Sequence, residues 1–383
     1  MTIPRPLVTA LLALVALPLT APAPAELRSY DRVLLLESVS ETSASVSLGD
    51  IDGNGTLDVV LAKGRHWPLN DLILRNDGHG KFTTELLADA PDRTYSAALA
   101  DLDGDGALDI VVSNDRPDKK LVYKNDGKGH FTVIGTFGQP EWSTRYVTVA
   151  DLNGDKRPDL IVANRSSNPN APKPSYVCLN DGKGGFPTCE PLATQSATII
   201  VAADFDGDGK IDLFVPHRDG GQSLIFWNDG SGHFTAAPAK FGGPVSNARA
   251  AAAGDVNGDG ILDLVVGDEK AGLFIYYGEG KRAFGAALPL GPRGSAPYSI
   301  AIADMNKDGL RDIVVGNQEA PGVVFFNQGG KTPTFNTVTW GDGKGSVYGL
   351  AVGDLDGDGW PDIAGARSEA QNGIWFSGAI KKP

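Results

Sequence analysis

Short runs rich in β-branched and small residues alternate along the chain with acidic, glycine-containing segments. Residues 44–48 (ASVSL) precede the first acidic segment, and residues 58–61 (DVVL) follow it. A glycine-rich turn, NDGHGKF, comes next at Asn76, and residues 82–87 (FTTELL) form another short run. Asn-Asp-Gly is typical of tight hairpins because these residues tolerate positive φ. Each unit of the pattern therefore predicts four short strands.

The acidic segment recurs seven times. Its first residue stands at positions 50, 101, 151, 204, 255, 304 and 354, so successive units are 49 to 53 residues long. The high glycine content, 49 residues, also favours short elements joined by tight turns. Seven copies of a four-stranded unit predict an all-β fold, a seven-bladed β-propeller built from antiparallel blades.

The two ends of the chain predict how the ring closes. The last unit stops soon after Trp375 and Phe376, so it lacks a fourth strand. Residues 28–37 precede the first acidic segment and have the pattern of a spare strand. Pairing this strand into the last blade would close the ring and remove an exposed edge.

The seven segments in phase resemble FG-GAP/VCBS repeats, which form the propellers of integrin α-subunit heads and of many exported bacterial proteins. The resemblance covers residues 26–383 and implies calcium in the loop between the first and second strands of each blade. It implies no single function, because relatives serve as adhesion modules, lectins and accessory domains of carbohydrate-active enzymes.

Calcium also suits the residues themselves. Ca²⁺ prefers six to eight oxygen ligands, and alternate residues of a tightly curled loop direct their oxygens inward. Packed carboxylates repel one another unless a cation or protons neutralise them. The alternative is a metal-free turn in which the Asp and Asn side chains accept the loop's own amides. We expect up to seven structural calcium ions, with the third and sixth sites weakest because Lys156, Lys307 and Arg311 occupy them.

The predicted ligands fall at positions one, three, five, seven and nine of each loop, with a backbone carbonyl at position seven. Position one is Asp50, Asp101, Asp151, Asp204, Asp255, Asp304 and Asp354. Position three is Asp52, Asp103, Asn153, Asp206, Asn257, Asn306 and Asp356. Position five is Asn54, Asp105, Asp155, Asp208, Asp259, Asp308 and Asp358. Position seven is Thr56, Ala107, Arg157, Lys210, Ile261, Leu310 and Trp360. Position nine is Asp58, Asp109, Asp159, Asp212, Asp263, Asp312 and Asp362.

Residues 1–25 have the pattern of a signal peptide: one basic residue, an apolar stretch, and small residues before Ala25. The apolar run is shorter than the roughly 20 residues that span a bilayer, so we expect export to the periplasm or outside and no membrane span in the mature chain. Cys178 and Cys189 flank a hairpin-like turn and are predicted to form a disulfide. The net charge of −13 argues against nucleic acid as a partner.

A ligand site is predicted on the propeller face opposite the acidic loops. Six residues before each loop, five of seven positions are Tyr or Arg, and basic residues recur five to seven residues after each closing Asp. An alternative is that these arginines form salt bridges and the tyrosines fill the channel. The predicted ligand-binding residues are Tyr95, Arg145, Tyr146, Arg249, Tyr298, Tyr348, Arg65, Arg116 and Arg218.

Arginine and aromatic side chains suit the acidic groups and sugar rings of a glycan. We therefore expect a binding or adhesion module for a glycan or an extracellular protein. Two alternatives remain: a carbohydrate-active enzyme such as a polysaccharide lyase using Tyr, His and Arg, and a purely structural exported scaffold. The sequence has neither HExxH nor a P-loop, so it assigns no catalytic residue.

Overall fold

A computed structural model describes residues 26–166, 168 and 173–380 of the 383-residue chain. The described residues form seven four-stranded antiparallel sheets and contain no helix. The predicted all-β, seven-bladed propeller is confirmed. The signal-peptide prediction for residues 1–25 lies outside the described residues.

Each of the first three blades follows the chain from the ring's centre outward. Blade 1 contains β2 (Ser43–Gly49), β3 (Asp58–Lys63), β4 (Leu72–Asn76) and β5 (Phe82–Leu86). Blade 2 contains β6 (Thr94–Ala100), β7 (Asp109–Asn114), β8 (Lys120–Asn125) and β9 (Phe131–Phe137). Blade 3 contains β10 (Thr144–Ala150), β11 (Asp159–Asn164), β12 (Ser175–Cys178) and β13 (Cys189–Leu192).

The next three blades repeat this order, and blade 5 has an added hairpin. Blade 4 contains β14 (Val201–Ala203), β15 (Asp212–Val215), β16 (Gly221–Phe226) and β17 (Ala239–Ser246). Blade 5 contains β18 (Ala248–Gly254), β19 (Asp263–Asp268), β20 (Gly272–Tyr276) and β23 (Leu288–Leu290), with the hairpin β21 (Gly278–Gly280) and β22 (Ala283–Phe284) inserted before β23. Blade 6 contains β24 (Pro297–Ala303), β25 (Asp312–Asn317), β26 (Gly322–Asn327) and β27 (Phe335–Trp340).

Blade 7 closes the ring with strands from both ends of the described chain. It contains β28 (Ser346–Gly353), β29 (Asp362–Ser368) and β30 (Gly373–Ala379), and its outer strand is β1 (Arg28–Leu35). Strand β1 is antiparallel to β30, with Arg28 opposite Ala379 and Leu35 opposite Gly373. The predicted closing strand is thus confirmed, and it ends at Leu35.

Burial follows the position of each strand in its blade. The second strands, such as β3 and β7, are buried at every residue because both of their faces pack against neighbouring blades. This explains their unbroken apolar runs. The outermost strands, such as β5, are largely exposed along their whole length. The apolar core is therefore a set of layers between adjacent blades.

A buried asparagine from the NDGxG turn links neighbouring blades. Asn125 donates from Nδ2 to the carbonyl of Ile51 in blade 1 at 2.8 Å and to that of Leu108 in its own blade at 3.0 Å. The same inter-blade bond recurs in four other blades: Asn76 to Leu355, Asn180 to Leu102, Asn228 to Leu152 and Asn327 to Val256. The sequence motif thus has a second role, in addition to shaping the hairpin, because its first residue fastens one blade to the preceding one.

Candidate functional site

The acidic loops connect the first and second strands of the blades and share one face with the NDGxG turns. In blade 1, Asp50 accepts the amides of Asn54 at 3.0 Å and Gly55 at 2.9 Å. Asp58 accepts the amide of Ile51 at 3.2 Å and that of Asn76 at 2.8 Å. The first and last carboxylates therefore curl the loop and join it to the hairpin turn of the same blade.

Three carboxylates converge in four of the seven loops. Their oxygens lie within 4.8 Å of one another at positions one, three and nine of blades 1, 2, 4 and 7. These triads are Asp50, Asp52 and Asp58; Asp101, Asp103 and Asp109; Asp204, Asp206 and Asp212; and Asp354, Asp356 and Asp362. Such clusters supply the hard oxygen donors that a divalent cation prefers.

The other three loops have asparagine at position three. In each of them, the Asn amide donates to the carboxylate at position five: Asn153 to Asp155, Asn257 to Asp259 and Asn306 to Asp308. The two loops predicted to be weakest, the third and sixth, belong to this group, and the fifth joins them. These loops bring fewer negative charges together than the four triads do.

The side chains at position five have another role in all seven loops. The Oδ1 atom at this position accepts the amide of the residue two positions later, as Asn54 does from Thr56 at 2.8 Å. The same bond is made by Asp105, Asp155, Asp208, Asp259, Asp308 and Asp358. These bonds are the Asx-type turn contacts of the metal-free alternative, and they preorganise the loop whether or not a cation binds.

Burial raises the pKa of every closing aspartate. The effect brings the pKa of Asp212, Asp263 and Asp362 to about 6 and that of Asp312 to about 7, and neighbouring loop carboxylates add to it. Asp58, Asp109 and Asp159 shift in the same direction for the same cause. A bound cation would remove this electrostatic penalty, so the donor set fits a calcium ion.

Basic side chains contact the third-position carboxylate in three of the four triads. Lys124 contacts Asp103, Arg32 contacts Asp356, and Arg282 of the blade 5 hairpin lies 2.6 Å from Asp206. Within the described part of the chain, Asp52 of the first triad forms no salt bridge. The first loop is therefore the triad with the least internal charge compensation.

The opposite face carries a cavity at the centre of the ring, and β-bulges supply its side chains. In β10, Thr144 pairs with Asn164 and Tyr146 with Ala163, so Arg145 is an extra residue without a cross-strand partner. A bulge re-aims the side chain of its extra residue. The same register shift occurs at Ala44, Tyr95, Arg249, Tyr298 and Tyr348.

The cavity encloses about 120 Å³ and is lined by residues of all seven blades. All six bulge residues and Thr198 contribute to its wall. Loops between the second and third strands add Arg65, His66, Arg165 and Arg218. This volume can hold several water molecules or one compact acidic group.

The cavity has more guanidinium groups than nearby carboxylates. Arg145 lies 3.0 Å from Asp115, and Arg165 lies 3.0 Å from Asp219. Glu269 is shared, since Arg218 lies 2.7 Å and Arg249 3.9 Å from it. Five arginines thus face three carboxylates, which leaves two positive charges in excess.

Arg65 forms no salt bridge within the described chain. Its guanidinium stacks 3.7 Å above the Tyr348 ring and donates to Ser368 Oγ at 3.1 Å. Its backbone has a φ of 52°, which is a strained conformation for a residue with a side chain. The bonds that hold this turn include the one from the Arg65 amide to the Thr94 carbonyl at 3.0 Å.

Three guanidinium nitrogens in the cavity have no hydrogen-bond partner although they are buried: Arg65 Nε, Arg145 Nε and Arg145 Nη1. The Arg145 side chain is only 10% exposed, and its Nη1 lies 3.0 Å from Asp115 Oδ1, so the charge of this nitrogen is compensated by a salt bridge. Burial and the nearby charge of Arg218 lower the pKa of Arg249 to about 10, which still leaves it cationic at neutral pH. Two of the five cavity arginine charges have no carboxylate to balance them, so an anion in the cavity would stabilise this arrangement.

The structure brings eight of the nine predicted ligand-binding residues to the cavity, and Arg116 is the exception. Arg116 is exposed and absent from the cavity wall, whereas the preceding Asp115 is buried and contacts Arg145, which lines the cavity. Tyr146 lines the cavity and also packs against the core between blades 3 and 4, where burial raises its pKa. Two of these arginines also form the salt bridges that the alternative interpretation expected, since Arg145 is paired with Asp115 and Arg218 with Glu269.

Cys178 and Cys189 lie opposite one another on β12 and β13 and are joined by a disulfide. Both cysteines lie on the two outer strands of blade 3, away from the central cavity. Within the described residues, no helix has the length and hydrophobicity needed to cross a membrane.

The chain matches a known repeat family over most of its length and known proteins over parts of it. The FG-GAP-like repeat model matches residues 50–112, 101–162, 157–215, 204–266 and 304–365. Cartilage acidic protein 1 of Mus musculus is 28% identical over 194 residues, which is 45% of this chain and 28% of that protein. A T-cell immunomodulatory protein homolog of Plasmodium yoelii yoelii is 25% identical over 158 residues, covering 34% of this chain and 22% of that protein. The chain therefore matches less than a third of the length of these curated relatives.

Two solved structures share the fold at low sequence identity. BBS1N, crystallised in complex with ARL6DN, has a TM-score of 0.61 at 11% identity and covers 93% of this chain and 98% of that chain. An Agrocybe aegerita lectin that recognises non-reducing terminal N-acetylglucosamine has a TM-score of 0.54 at 18% identity and covers 78% of this chain and 80% of that chain.

Proposed function

This chain belongs to the FG-GAP-like repeat family, and we propose that it is a calcium-stabilised module that binds an anionic glycan in the central arginine cavity. The observation that carries the proposal is the surplus of guanidinium groups in the cavity: five arginines face three carboxylates, and Arg65 has no carboxylate acceptor among the described residues. A carboxylate or sulfate group would supply the missing acceptors, and guanidinium binds such groups through paired hydrogen bonds.

A glycan is favoured over a small inorganic anion by the aromatic surroundings. Tyr95, Tyr298 and Tyr348 line the cavity, and Trp67 is 68% exposed on the turn that carries Arg65 and His66. An exposed tryptophan beside a cationic pocket offers an apolar face on which a sugar ring can stack. The cavity itself has room for one acidic group, so the rest of a longer chain would lie across its mouth.

The acidic loops serve stability in this proposal. Calcium held by the triads of blades 1, 2, 4 and 7 would neutralise the clustered carboxylates, and the first loop would bind best because Asp52 has no basic partner among the described residues. We propose that the module acts in the periplasm or outside the cell, where calcium and glycans are both available, and the signal-peptide pattern of residues 1–25 supports this proposal.

Binding is tested by calorimetric titration with hexagalacturonate and a heparin hexasaccharide, and with neutral cellohexaose as the reference ligand. We expect an acidic oligosaccharide to bind and cellohexaose not to bind. Arg65→Met removes the guanidinium that stacks on Tyr348 and keeps an apolar side chain, and it leaves no carboxylate unpaired because Arg65 forms no salt bridge among the described residues. Loss of a charge-assisted hydrogen bond costs about 1.5–3 kcal/mol, so its affinity should fall about 10-fold to 100-fold.

Arg116→Ala is the matched control, because it removes the same charge from an exposed position on the same face but outside the cavity wall. Its affinity should equal that of the unmodified protein. Equal affinities for Arg65→Met and Arg116→Ala, or no binding of either acidic oligosaccharide, would refute the proposed site.

Calcium is tested separately by thermal unfolding in EGTA and after stepwise addition of Ca²⁺ or Mg²⁺. A ligand that binds only the folded state at 100 times its Kd stabilises by about 2.7 kcal/mol per site, so Ca²⁺ should raise Tm clearly. Asp52→Asn should reduce this response, because it converts the first triad into the kind of loop found in blades 3, 5 and 6. An identical Tm with and without Ca²⁺ would contradict a stabilising role.

A further inference from the structure

Three side chains from two blades form a connected chain at one side of the cavity. Tyr95 Oη lies 2.9 Å from His66 Nε2, and His66 Nδ1 lies 3.0 Å from Asp115 Oδ2. Tyr95 and His66 line the cavity, while the Asp115 side chain lies behind them and is only 8% exposed. The order is therefore hydroxyl, imidazole and buried carboxylate.

The surroundings of Asp115 fix its charge. Burial alone would raise the pKa of this carboxyl, but the hydrogen bond from His66, the charge of Arg145 and the hydrogen bond from Ser143 together hold the pKa well below its usual range. Ser143 Oγ donates to Asp115 Oδ1 at 2.7 Å. An ionised Asp115 can only accept, so His66 donates from Nδ1, and in the neutral imidazole Nε2 is then the acceptor that faces the Tyr95 hydroxyl.

The hydroxyl is close to His66 but not yet aligned with its lone pair, since Tyr95 Oη is also 3.5 Å from His66 Nδ1. A side chain that is 47% exposed has room for the small ring rotation that brings Nε2 into line. Hydrogen bonds of this kind commonly tighten only when substrate binds.

Arg65 stands next to this chain on the same turn as His66. Its guanidinium lies 5.8 Å from the centre of the Tyr95 ring and has no carboxylate partner within the described residues. A substrate carboxylate bound by Arg65 would thus be held near the Tyr95 ring, whose hydroxyl contacts His66. Neutralising a carboxylate makes the hydrogen on the adjacent carbon more acidic, which is the requirement for its removal by a base.

We propose that Tyr95, His66 and Asp115 form an acid-base relay that cleaves a polysaccharide containing 4-linked uronic acid by β-elimination; the inference rests on the proposed binding of an anionic glycan. Tyr95 Oη takes the proton from C5 of the uronate as its own proton passes to His66 Nε2. The C5–H electron pair forms the C4=C5 double bond, and the C4–O bond breaks with its electron pair on the leaving oxygen. The proton on His66 returns through Tyr95 to that oxygen, so the relay ends as it began and no water or oxidant is consumed.

Elimination fits the cavity better than hydrolysis does. Glycoside hydrolysis commonly needs two carboxyl groups at the scissile bond. No Asp or Glu belongs to the described cavity wall, and the nearby Asp115, Asp219 and Glu269 are each paired with arginine. Asp115 is a positioning residue in the relay, because it holds the imidazole and does not reach the cavity wall.

The experiment measures ultraviolet absorbance of the unsaturated uronate released from oligogalacturonate, oligoalginate, hyaluronan and heparin, with binding of each measured on the same preparations. We expect at least one polymer to yield product and its carboxyl-reduced form to yield none. Tyr95→Phe removes only the hydroxyl and keeps the ring on which Arg145 stacks at 4.1 Å. General acid-base catalysis typically contributes about 10²-fold to 10⁴-fold, so kcat should fall by at least 100-fold while KM changes little.

His66→Gln should reproduce the loss of kcat, and Arg116→Ala should retain full activity. Binding of the four polymers without any unsaturated product would overturn the relay and leave the proposed binding function intact. Product formation by Tyr95→Phe at the unmodified rate would likewise overturn it. Failure of both binding and product formation would refute the proposed function itself.

Discussion

The asparagine that links neighbouring blades provides the most direct test of how the ring is held together. Asn125 is fully buried, and its side chain makes four hydrogen bonds. Its Nδ2 donates to Ile51 O at 2.8 Å and to Leu108 O at 3.0 Å. Its Oδ1 accepts the amides of Gly127 at 3.0 Å and Gly129 at 2.9 Å. We predict that Asn125→Ala loosens both the hairpin turn and the junction between blades 1 and 2.

The size of the effect follows from these four bonds. Each neutral hydrogen bond contributes about 0.5–1.5 kcal/mol, and a buried group left without a partner costs about 1–3 kcal/mol. The alanine variant strands two carbonyls and two amides, which partly relax towards water at the edge of the turn. We expect the free energy of unfolding to fall by about 3–5 kcal/mol.

The assay is equilibrium unfolding in urea with calcium present, followed by tryptophan fluorescence and by circular dichroism. The control is Asp126→Ala at the adjacent, exposed position. It loses the bonds from the Lys128 amide at 2.9 Å and the His130 amide at 3.2 Å, and the contact with His130 Nδ1 at 2.9 Å, all within blade 2. This control should lose much less free energy of unfolding than Asn125→Ala, because water can replace the bonds of an exposed side chain. If Asn125→Ala loses no more than Asp126→Ala, the inter-blade bond does not stabilise the ring.

Three further predictions concern single buried or strained positions. Burial raises the pKa of Asp71 to about 7 in the folded protein. Between about pH 4 and 7, Asp71 therefore keeps its proton in the folded protein and loses it in the unfolded chain. The free energy of unfolding should fall over this window as pH rises. Asp71→Asn keeps an oxygen that can accept the Lys63 amide, as Asp71 does at 2.8 Å, and it should remove up to about 4 kcal/mol of this pH dependence, measured as the difference between the two unfolding curves. Lys156 has a φ of 67° at the turning position of the third loop, so Lys156→Gly should raise stability by about 0.5–1 kcal/mol in thermal unfolding; a lower Tm would contradict the assigned strain. Lys63→Met leaves the buried Glu37 carboxylate without its cation and should cost about 3–5 kcal/mol, and adding Glu37→Gln should recover part of that loss in a double-mutant cycle.

The repeat could be predicted from the sequence because its chemistry is local. A loop that begins and ends with Asp needs nine consecutive residues, and the aspartate at its end also bonds the turn of the same blade, as Asp58 does with Asn76. The closing strand was predictable for a similar reason, since the last unit lacks one strand and a spare one precedes the first. These features depend on spacing along the chain, which the sequence displays directly.

The cavity was less predictable because its geometry depends on register. A single extra residue in β10 directs Arg145 into the cavity, and a one-residue difference in a loop leaves Arg116 exposed while Asp115 is buried. The sequence shows the recurring arginines, but it does not show the β-bulge that decides which of two neighbouring side chains enters the cavity. The relay of Tyr95, His66 and Asp115 was hidden too, because it joins two blades whose relative position only the ring defines.

The placement of charge also determines how a partner reaches this molecule. The chain has a formal charge of −13, its acidic loops occupy one face, and its surplus arginines lie inside the mouth of the other. A polyanion is repelled by the acidic face wherever calcium leaves its carboxylates uncompensated, and it is attracted at a single opening on the other face, which selects productive encounters before any contact is made. Added salt should therefore slow association more than it speeds dissociation, and stopped-flow measurements across a range of ionic strength would separate the two rates.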